Sequence, residues 1–319
     1  MTSATASSST ASSSTAIVAE ELRKTFGEVV AVDNISLAVP RGSVLGLLGV
    51  NGAGKTTMVR MLATVLKPTS GRANVHGFDV ITQPQDVRRS IGLAGQNAAV
   101  DENLTGRENL ELVGRLSHLG RSVSRERAEQ LLDQFGLVDA GNRPVRTYSG
   151  GMRRRLDLGA ALVARPPVLF LDEPTTGLDP ASRLDLWGVI ESLVSDGTTV
   201  LLTTQYLEEA DRLADNIVVI DRGLIAAEGT AKQLKARLGD TVIEFEFANA
   251  KIAQSAADKI GGTVSAGTVV RLVMTAGPAT LRDAMNQLAA ADIAPTHVAL
   301  REPTLDDVFL TLTGTGATS

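Results

Sequence analysis

The chain has 319 residues, 43% hydrophobic and 21% charged, and its formal net charge is −5. This is enough chain for two or three globular domains, and it gives no positive field that would attract nucleic acid. Aromatic residues make up only 3%, which argues against a base-stacking surface, and the lack of cysteine excludes disulfides and thiolate metal sites. No apolar run approaches the roughly 18 to 20 residues of a membrane-spanning helix.

The chain begins with a segment rich in serine, threonine and alanine, residues 1–16, which predicts a disordered tail. It lacks the basic start and apolar centre of a secretory signal. Strand candidates follow at 17–22 and 30–39, and the continuous apolar run 43–49 is typical of a buried strand. After a glycine-rich loop, a helical pattern extends to Leu66 before Pro68.

Residues 104–140 combine helical periodicity with many charges. Apolar strands separated by such helical segments predict an α/β fold, with a parallel sheet covered on both faces; the further strands are 167–174, 198–204 and 216–223. The composition changes near Gly239. From there, alternating apolar residues such as Ile243 and Phe245 predict a sheet with one face exposed to solvent. Residues 240–319 are therefore predicted to form a small α+β domain of two helices, several strands and a final helical turn.

The stretch GVNGAGKT matches the phosphate-binding pattern G-x-x-x-x-G-K-[ST] and lies between a strand and a helix. Glycines let the backbone wrap a phosphate, the helix N-terminus adds partial positive charge, and Lys55 adds a full one. The Thr56 hydroxyl can bind Mg²⁺. The sequence therefore predicts an ATP site at Gly49, Val50, Asn51, Gly52, Ala53, Gly54, Lys55, Thr56 and Thr57.

The stretch VLFLDE places two acidic residues at the end of a buried strand. Asp172 is suited to hold Mg²⁺, directly or through water, and Glu173 is suited to polarise a water toward the γ-phosphate. With Pro174 next, the pair could instead cap a helix, but the nearby phosphate loop favours the catalytic interpretation.

A second potential anion site opens the stretch YSGGMRRRL, where Ser149, Gly150 and Gly151 precede a helix with a basic first turn. The three arginines that follow could suggest a nucleic-acid patch, but a helix face beside phosphate is the favoured interpretation. Two shorter stretches complete the set, with Gln96 ending IGLAGQ and Asp179 in TGLDP.

These motifs, in this order, resemble the ATP-binding cassette (ABC) ATPases over residues 17 to about 235. The resemblance implies an ATP-binding domain at 17–239 with a helical subdomain at about 97–147. Two cassettes would pair head to tail, each capping the other's nucleotide. It also implies that Gln96 contacts the metal and that Phe26 stacks on adenine. Ser149 and Gly151 would contact the γ-phosphate held by the opposite subunit, and Asp179 would lie at the dimer seam. Simpler roles are open: Phe26 in the core, Gln96 as a strand cap, Asp179 in a turn.

The sequence departs from the family pattern at two positions. Met152 replaces a glutamine after the Ser-Gly-Gly motif, where little loss is expected because the serine and glycines are kept. Gln205 stands where the family has a histidine that contacts the γ-phosphate. Glutamine can donate a hydrogen bond but cannot carry a charge or relay a proton. The hypothesis is hydrolysis through Glu173, with Gln205 as a neutral γ-phosphate sensor.

The stretches TTQYLEEADRLAD and REPTLDDVFLTLTG resemble the daunorubicin/doxorubicin-resistance subfamily of bacterial drug-export ATPases. That resemblance implies ATP and Mg²⁺ as cofactors, a homodimer, and a separate ABC-2-type permease that docks on the helical subdomain at the cytoplasmic face of the membrane. One alternative is a non-transport ABC ATPase acting on nucleic acid or ribosomes, against which the single cassette and negative charge count. Another is a non-hydrolysing regulatory cassette, against which Glu173 counts.

Overall fold

The computed structural model of the protein describes residues 14–95, 100–237, 241–274, 277–302 and 304–312. The chain divides into two compact units, the first ending at Ala231 and the second beginning at Lys232. The predicted boundary at Gly239 lies outside the described residues, as do residues 1–13 of the predicted tail. Thr15 and Ala16, which were assigned to that tail, belong instead to the first strand, because the partner strand extends far enough to pair with Thr15.

A six-stranded sheet forms the centre of the first unit. Its order is β10-β9-β3-β8-β7-β6, and the neighbours are parallel except for β9 and β10. The strands are β3 (Val44–Leu48), β6 (Ile91–Ala94), β7 (Val168–Asp172), β8 (Thr199–Thr204), β9 (Asn216–Asp221) and β10 (Leu224–Gly229). Every residue of β3, β7 and β8 is buried, which confirms the prediction made from their continuous apolar runs.

A second sheet in this unit is antiparallel, with the order β2-β1-β4-β5. Its strands are β1 (Thr15–Phe26), β2 (Val29–Pro40), β4 (Ser70–Val75) and β5 (Phe78–Asp79). One hydrophobic core lies between the two sheets and includes Leu47, Phe170 and Ile35. The other face of the parallel sheet carries Leu169, Leu171 and Leu202 into a second core shared with helices. Both faces of the parallel sheet are thus covered, as the α/β prediction requires.

The first unit contains seven α-helices and the short 3₁₀ helix Val145–Thr147 among its described residues, and an eighth α-helix begins at its last residue. The α-helices are α1 (Lys55–Leu62), α2 (Pro84–Ser90), α3 (Gly106–Leu116), α4 (Arg121–Gln134), α5 (Gly150–Ala161), α6 (Pro180–Ser195), α7 (Leu207–Leu213) and α8 (Ala231–Ala236). Leu110 of α3, Leu131 of α4 and Leu156 of α5 pack in one core. The predicted helical insert 97–147 contains α3 and α4, and its residues 97–99 lie outside the described part.

Helix α1 ends four residues earlier than predicted. Thr64 adopts a left-handed backbone conformation, φ +60°. Its N–H bonds to the carbonyl of Met61, and the N–H of Val65 bonds to that of Arg60. This is the hydrogen-bond pattern of a Schellman motif, which ends a helix before Pro68 is reached.

The second unit is a four-stranded antiparallel sheet with helices packed on it, in the order β12-β13-β11-β14. Ile243, Phe245 and Phe247 are buried on one side of the sheet against Ala253 and Leu288, the arrangement expected from their alternation. The elements are β11 (Val242–Glu246), α9 (Ala250–Ile260), β12 (Thr263–Ala266), β13 (Val269–Val273), α10 (Pro278–Ala290), β14 (His297–Arg301) and α11 (Leu305–Leu312). In neither unit does a helix of the described residues have the length and apolarity needed to span a membrane.

Candidate functional site

The loop between β3 and α1 turns at two glycines. Gly52 and Gly54 have φ values of +84° and +113°, which residues with a side chain rarely adopt. A Cβ on Gly54 would lie 2.5 Å from the carbonyl oxygen of Ala31, whereas a Cβ on Gly52 would meet nothing within 4 Å. The backbone at Gly52 is therefore open to a ligand, and the N–H groups at the start of α1 are available for an anion.

Lys55, the first residue of α1, is 4% exposed. Its ammonium donates to the carbonyl oxygens of Gly49 and Val50 at 2.7 and 3.2 Å. The same nitrogen lies 3.3 Å from Glu173 Oε1. A buried cation needs such partners, and they hold the ammonium inside the curve of the loop, where it can bind phosphate.

Asp172 ends β7 beside two threonine hydroxyls. Thr56 Oγ1 donates to Asp172 Oδ1 at 3.1 Å, and Thr203 Oγ1 donates to the same oxygen at 2.6 Å. A carboxylate and a hydroxyl are hard oxygen ligands of the type that Mg²⁺ prefers. The described residues contain no group of three or more His, Cys, Asp or Glu residues that could hold a metal by themselves. The donor set therefore fits a Mg²⁺ ion that takes its other ligands from phosphate and water.

Glu173 has a strained backbone. Its φ of +51° lies in the left-handed region, which is uncommon for a residue with a side chain. Its N–H donates to both the carbonyl oxygen and the hydroxyl of Thr203, at 3.1 and 3.0 Å. Oε1 contacts Lys55, and Oε2 accepts from Thr176 Oγ1 at 3.3 Å. These contacts direct the carboxylate into the site.

Lys55, Thr56 and Glu173 line one cavity of about 470 Å³, whereas Asp172 and Thr203 do not line it but bond to Thr56 and Glu173, which do. Gln205, which follows β8, also lines it and is half-buried there, so two sequence-predicted catalytic residues meet in one place. The lining residues are Ala31, Asn51, Gly52, Gly54, Lys55, Thr56, Thr57, Glu173, Thr176 and Gln205. Three of the predicted loop residues do not line it: Gly49 and Ala53 are buried, and Val50 offers its carbonyl group to Lys55.

Phe26, predicted to contact adenine, does not line this cavity. Phe26 is 50% exposed at the end of β1, where Lys24 Nζ lies 5.2 Å from the centre of its ring. It is not buried in the core, and stacking on adenine stays a prediction. Gln96 lies outside the described residues, as do residues 97–99 that follow it.

The Ser-Gly-Gly motif lies outside the cavity, at the start of α5. Ser149 and Gly150 are exposed, and the Ser149 hydroxyl caps the helix by accepting from Met152 N at 3.2 Å. Gly151 is buried beneath, and a Cβ on it would lie 2.6 Å from Ser182 Oγ. The motif is therefore presented to solvent, while its second glycine packs against the next helix.

Asp179 caps α6. Its carboxylate accepts from Ser182 N at 3.1 Å and from Ser182 Oγ at 2.6 Å, and these bonds lower the pKa of Asp179. The residue is exposed. Capping α6 is the role that the structure gives it; a place at a dimer seam stays a prediction.

Two residues that support the site escaped the sequence analysis. Thr203 lies opposite Asp172 where β8 pairs with β7. The available signal in the sequence was that the neighbouring strand also ends in polar residues. Arg154 belongs to the run interpreted as a helix face beside phosphate. Instead it is 9% exposed and turned inward, where burial lowers the pKa of its guanidinium and Asp157 raises it.

Comparison with known proteins agrees with this geometry. The family model described as ABC transporter matches residues 32–176. A daunorubicin resistance ATP-binding protein of Streptomyces coeruleorubidus is 52% identical over 94% of this chain and 96% of that protein. A doxorubicin resistance ATP-binding protein of Mycobacterium tuberculosis is 48% identical, with 93% of each chain covered.

Among solved structures, one match is an ATP-binding cassette determined as a dimer in a post-hydrolysis state with ADP and phosphate bound. It superposes with a TM-score of 0.62 at 25% identity, over 67% of this chain and 98% of that one. The fold and the resemblance expected from the motifs are thereby confirmed. With a relative this similar over nearly the whole of both chains, the protein belongs to the ABC transporter family, as one of its ATP-hydrolysing ATP-binding subunits.

Proposed function

We propose that this protein hydrolyses ATP to power a separate ABC-2-type permease that exports a drug, an antibiotic or another hydrophobic compound. The observation that carries the ATPase chemistry is one cavity lined by Lys55, Thr56 and Glu173, with Asp172 bonded to the Thr56 hydroxyl beside it. The export role is supported by the resistance proteins to which the chain is similar over nearly its full length.

Each residue around the cavity has a defined role in the proposal. Lys55 and the amides of the loop bind the β and γ phosphates. Thr56 and Asp172, with Gln96, hold Mg²⁺, which neutralises phosphate charge when bound. Glu173 accepts a hydrogen bond from the attacking water and polarises it. Its contact with Lys55, 3.3 Å away, supports this role because it keeps the carboxylate next to the phosphate-binding cation.

Gln205 acts in the proposal as a neutral sensor of the γ-phosphate. Its side chain amide can donate a hydrogen bond to a phosphate oxygen. Because it does not titrate, its contribution should not vary with pH near neutrality, unlike that of a histidine.

The active form is proposed to be a homodimer. Ser149, Gly150 and Gly151 do not line the cavity of their own subunit, and Ser149 and Gly150 are exposed. In a head-to-tail pair they would contact the γ-phosphate held by the partner, with Phe26 on the adenine and Asp179 at the seam. Binding of two ATP molecules would favour the closed pair, and hydrolysis would open it.

A groove on the first unit is the proposed docking site for a cytosolic helix of the permease. It has a volume of about 540 Å³ and is lined by residues of α2, β6, α3 and α5. Leu93 and Leu116 offer exposed apolar surface there, and Arg88 and Arg89 give it a basic rim. Through such a contact the protein would be held at the cytoplasmic face of a bacterial membrane.

The ATPase proposal is tested with the purified protein, alone and with its permease. Turnover is measured for the wild type, Glu173→Gln, Gln205→Ala and Gln205→His. Glu173→Gln should reduce turnover by about a hundredfold or more, and Gln205→Ala by about tenfold to a hundredfold. Turnover that persists in Glu173→Gln, or that is unchanged in Gln205→Ala, would refute the assignment.

The export proposal needs a cellular assay. Drug accumulation is compared in bacteria carrying both genes, the permease gene alone, and both genes with Glu173→Gln. Only the intact pair should lower accumulation. Equal accumulation in all three, with an ATPase that is active in vitro, would indicate a non-transport role.

A further inference from the structure

Arg154 makes an unusual set of contacts behind the catalytic carboxylate. Its Nε donates to the carbonyl oxygen of Pro174 at 2.7 Å, and one terminal nitrogen donates to that of Asp172 at 3.3 Å. The other terminal nitrogen donates to the carbonyl of Gly95 and to the carboxylate of Asp157. Every nitrogen of the guanidinium is therefore engaged.

Two of these carbonyls belong to the residues on either side of Glu173. That residue has the left-handed φ of +51°, a strained conformation that persists only where surrounding contacts hold it. Thr203 holds the N–H of Glu173 from one side. The planar guanidinium of Arg154 holds the two flanking carbonyls from the other.

We propose that Arg154 is a positioning residue for Glu173, acting through the carbonyl groups of the residues before and after it, Asp172 and Pro174. Arginine is required because its N–H groups lie in one rigid fork, which a lysine ammonium cannot reproduce. Arg154 does not line the cavity in which the nucleotide is proposed to bind. The inference rests on the proposed role of Glu173 as the group that polarises water.

The first test substitutes Arg154→Lys, with Arg155→Lys as the matched control. Arg155 lies on the same helix but donates to the carbonyl of Phe135, away from the cavity. Arg154→Lys should lower kcat by about tenfold to a hundredfold, because small displacements of a reacting group have effects of this size. The control should change kcat by less than about twofold, and the Kd of a fluorescent ATP analogue should be unchanged in both.

ATP-dependent dimerisation, followed by size exclusion, separates positioning from damage to the start of α5. Arg154→Lys should dimerise like the wild type. If dimerisation weakens in parallel with kcat, Arg154 acts through the Ser149 end of its helix and the inference is wrong. A lysine at position 154 leaves Asp157 with a poorer partner. The double variant Arg154→Gln/Asp157→Asn therefore serves as a second test, because it removes both charges of the buried ion pair between these residues.

A double-mutant cycle with Glu173→Gln decides whether the effect passes through Glu173. Single-turnover hydrolysis is measured for Arg154→Lys, Glu173→Gln and the combination. A positioning role predicts that Arg154→Lys has almost no further effect once Glu173 is replaced. Multiplicative losses would overturn the inference while leaving the proposed function intact. A Glu173→Gln variant that hydrolyses ATP normally would instead refute the proposed function.

Discussion

The Thr203 hydroxyl supports both acidic residues of the site, and its removal has a calculable cost. Thr203→Val keeps the shape of the side chain but deletes the bond to Asp172 Oδ1, 2.6 Å long, and one of two bonds from the Glu173 N–H. A hydrogen bond to a charged group contributes about 1.5–3 kcal/mol. The Glu173 N–H keeps its hydrogen bond to the Thr203 carbonyl, so losing its bond to the hydroxyl costs little stability. The expected decrease in unfolding free energy is about 2 kcal/mol.

Thr199→Val is the matched control at the opposite end of the same strand. Thr199 is also buried, and its hydroxyl accepts from the uncharged N–H of Gly42 at 2.9 Å. Loss of a neutral hydrogen bond lowers the free energy of unfolding by about 0.5–1.5 kcal/mol, so Thr199→Val should be destabilised less than Thr203→Val. Urea unfolding is followed by fluorescence of Trp187, the only tryptophan, which lies in the first unit and is 1% exposed.

The two variants should also differ in activity. Thr203→Val should lower kcat, by about tenfold, because Asp172 and Glu173 both lose a contact that orients them. Thr199→Val should leave kcat unchanged. The reasoning is refuted if Thr203→Val is no less stable than Thr199→Val, or if both variants hydrolyse ATP at the wild-type rate.

Two further predictions concern the first unit and use the same fluorescence assay. Thr105→Ala removes the capping box of α3, in which the side chains of Thr105 and Glu108 each accept a hydrogen bond from the other residue's N–H. The free energy of unfolding should fall by about 1 kcal/mol in Thr105→Ala and by less in Thr105→Ser. Equal losses in the two variants would contradict the capping role. Burial raises the pKa of Glu209, which accepts from Trp187 Nε1 at 3.0 Å. Because the pKa of Glu209 is raised in the folded protein, the wild type loses stability as pH rises above the ordinary carboxyl value of about 4.5, whereas Glu209→Gln does not. The stability of Glu209→Gln relative to the wild type should therefore increase as pH rises above this value, and a difference that is constant with pH would contradict this.

The parts of the site that the sequence predicts are those encoded in consecutive residues. Eight adjacent positions specify the phosphate loop, and Asp172 and Glu173 follow an apolar run that can only be a buried strand. The predictions locate these residues correctly because both the backbone turn and the side chains come from one short segment. Ligand contacts assigned to them stay predictions.

The supporting contacts could not be predicted because they join distant parts of the chain. Thr203 meets Asp172 only through the pairing of β8 with β7, and Arg154 faces inward only because α5 packs over the ends of β6 and β7. Strand β4 was missed because only Ala73 and Val75 are buried in it, too few for a clear alternation. The end of α1 was missed because a threonine, not glycine, occupies its left-handed terminal position.

The close packing of Gly151 against Ser182 affects how variants of the Ser-Gly-Gly motif should be interpreted. An alanine at Gly151 would collide with the subunit's own α6, so a loss of activity there would not report on the partner's nucleotide. Gly150 is different, since a methyl group at that position meets nothing within 4 Å in the isolated chain. It is the cleaner probe of the interface, because a defect of Gly150→Ala would not come from a collision with the described part of its own subunit.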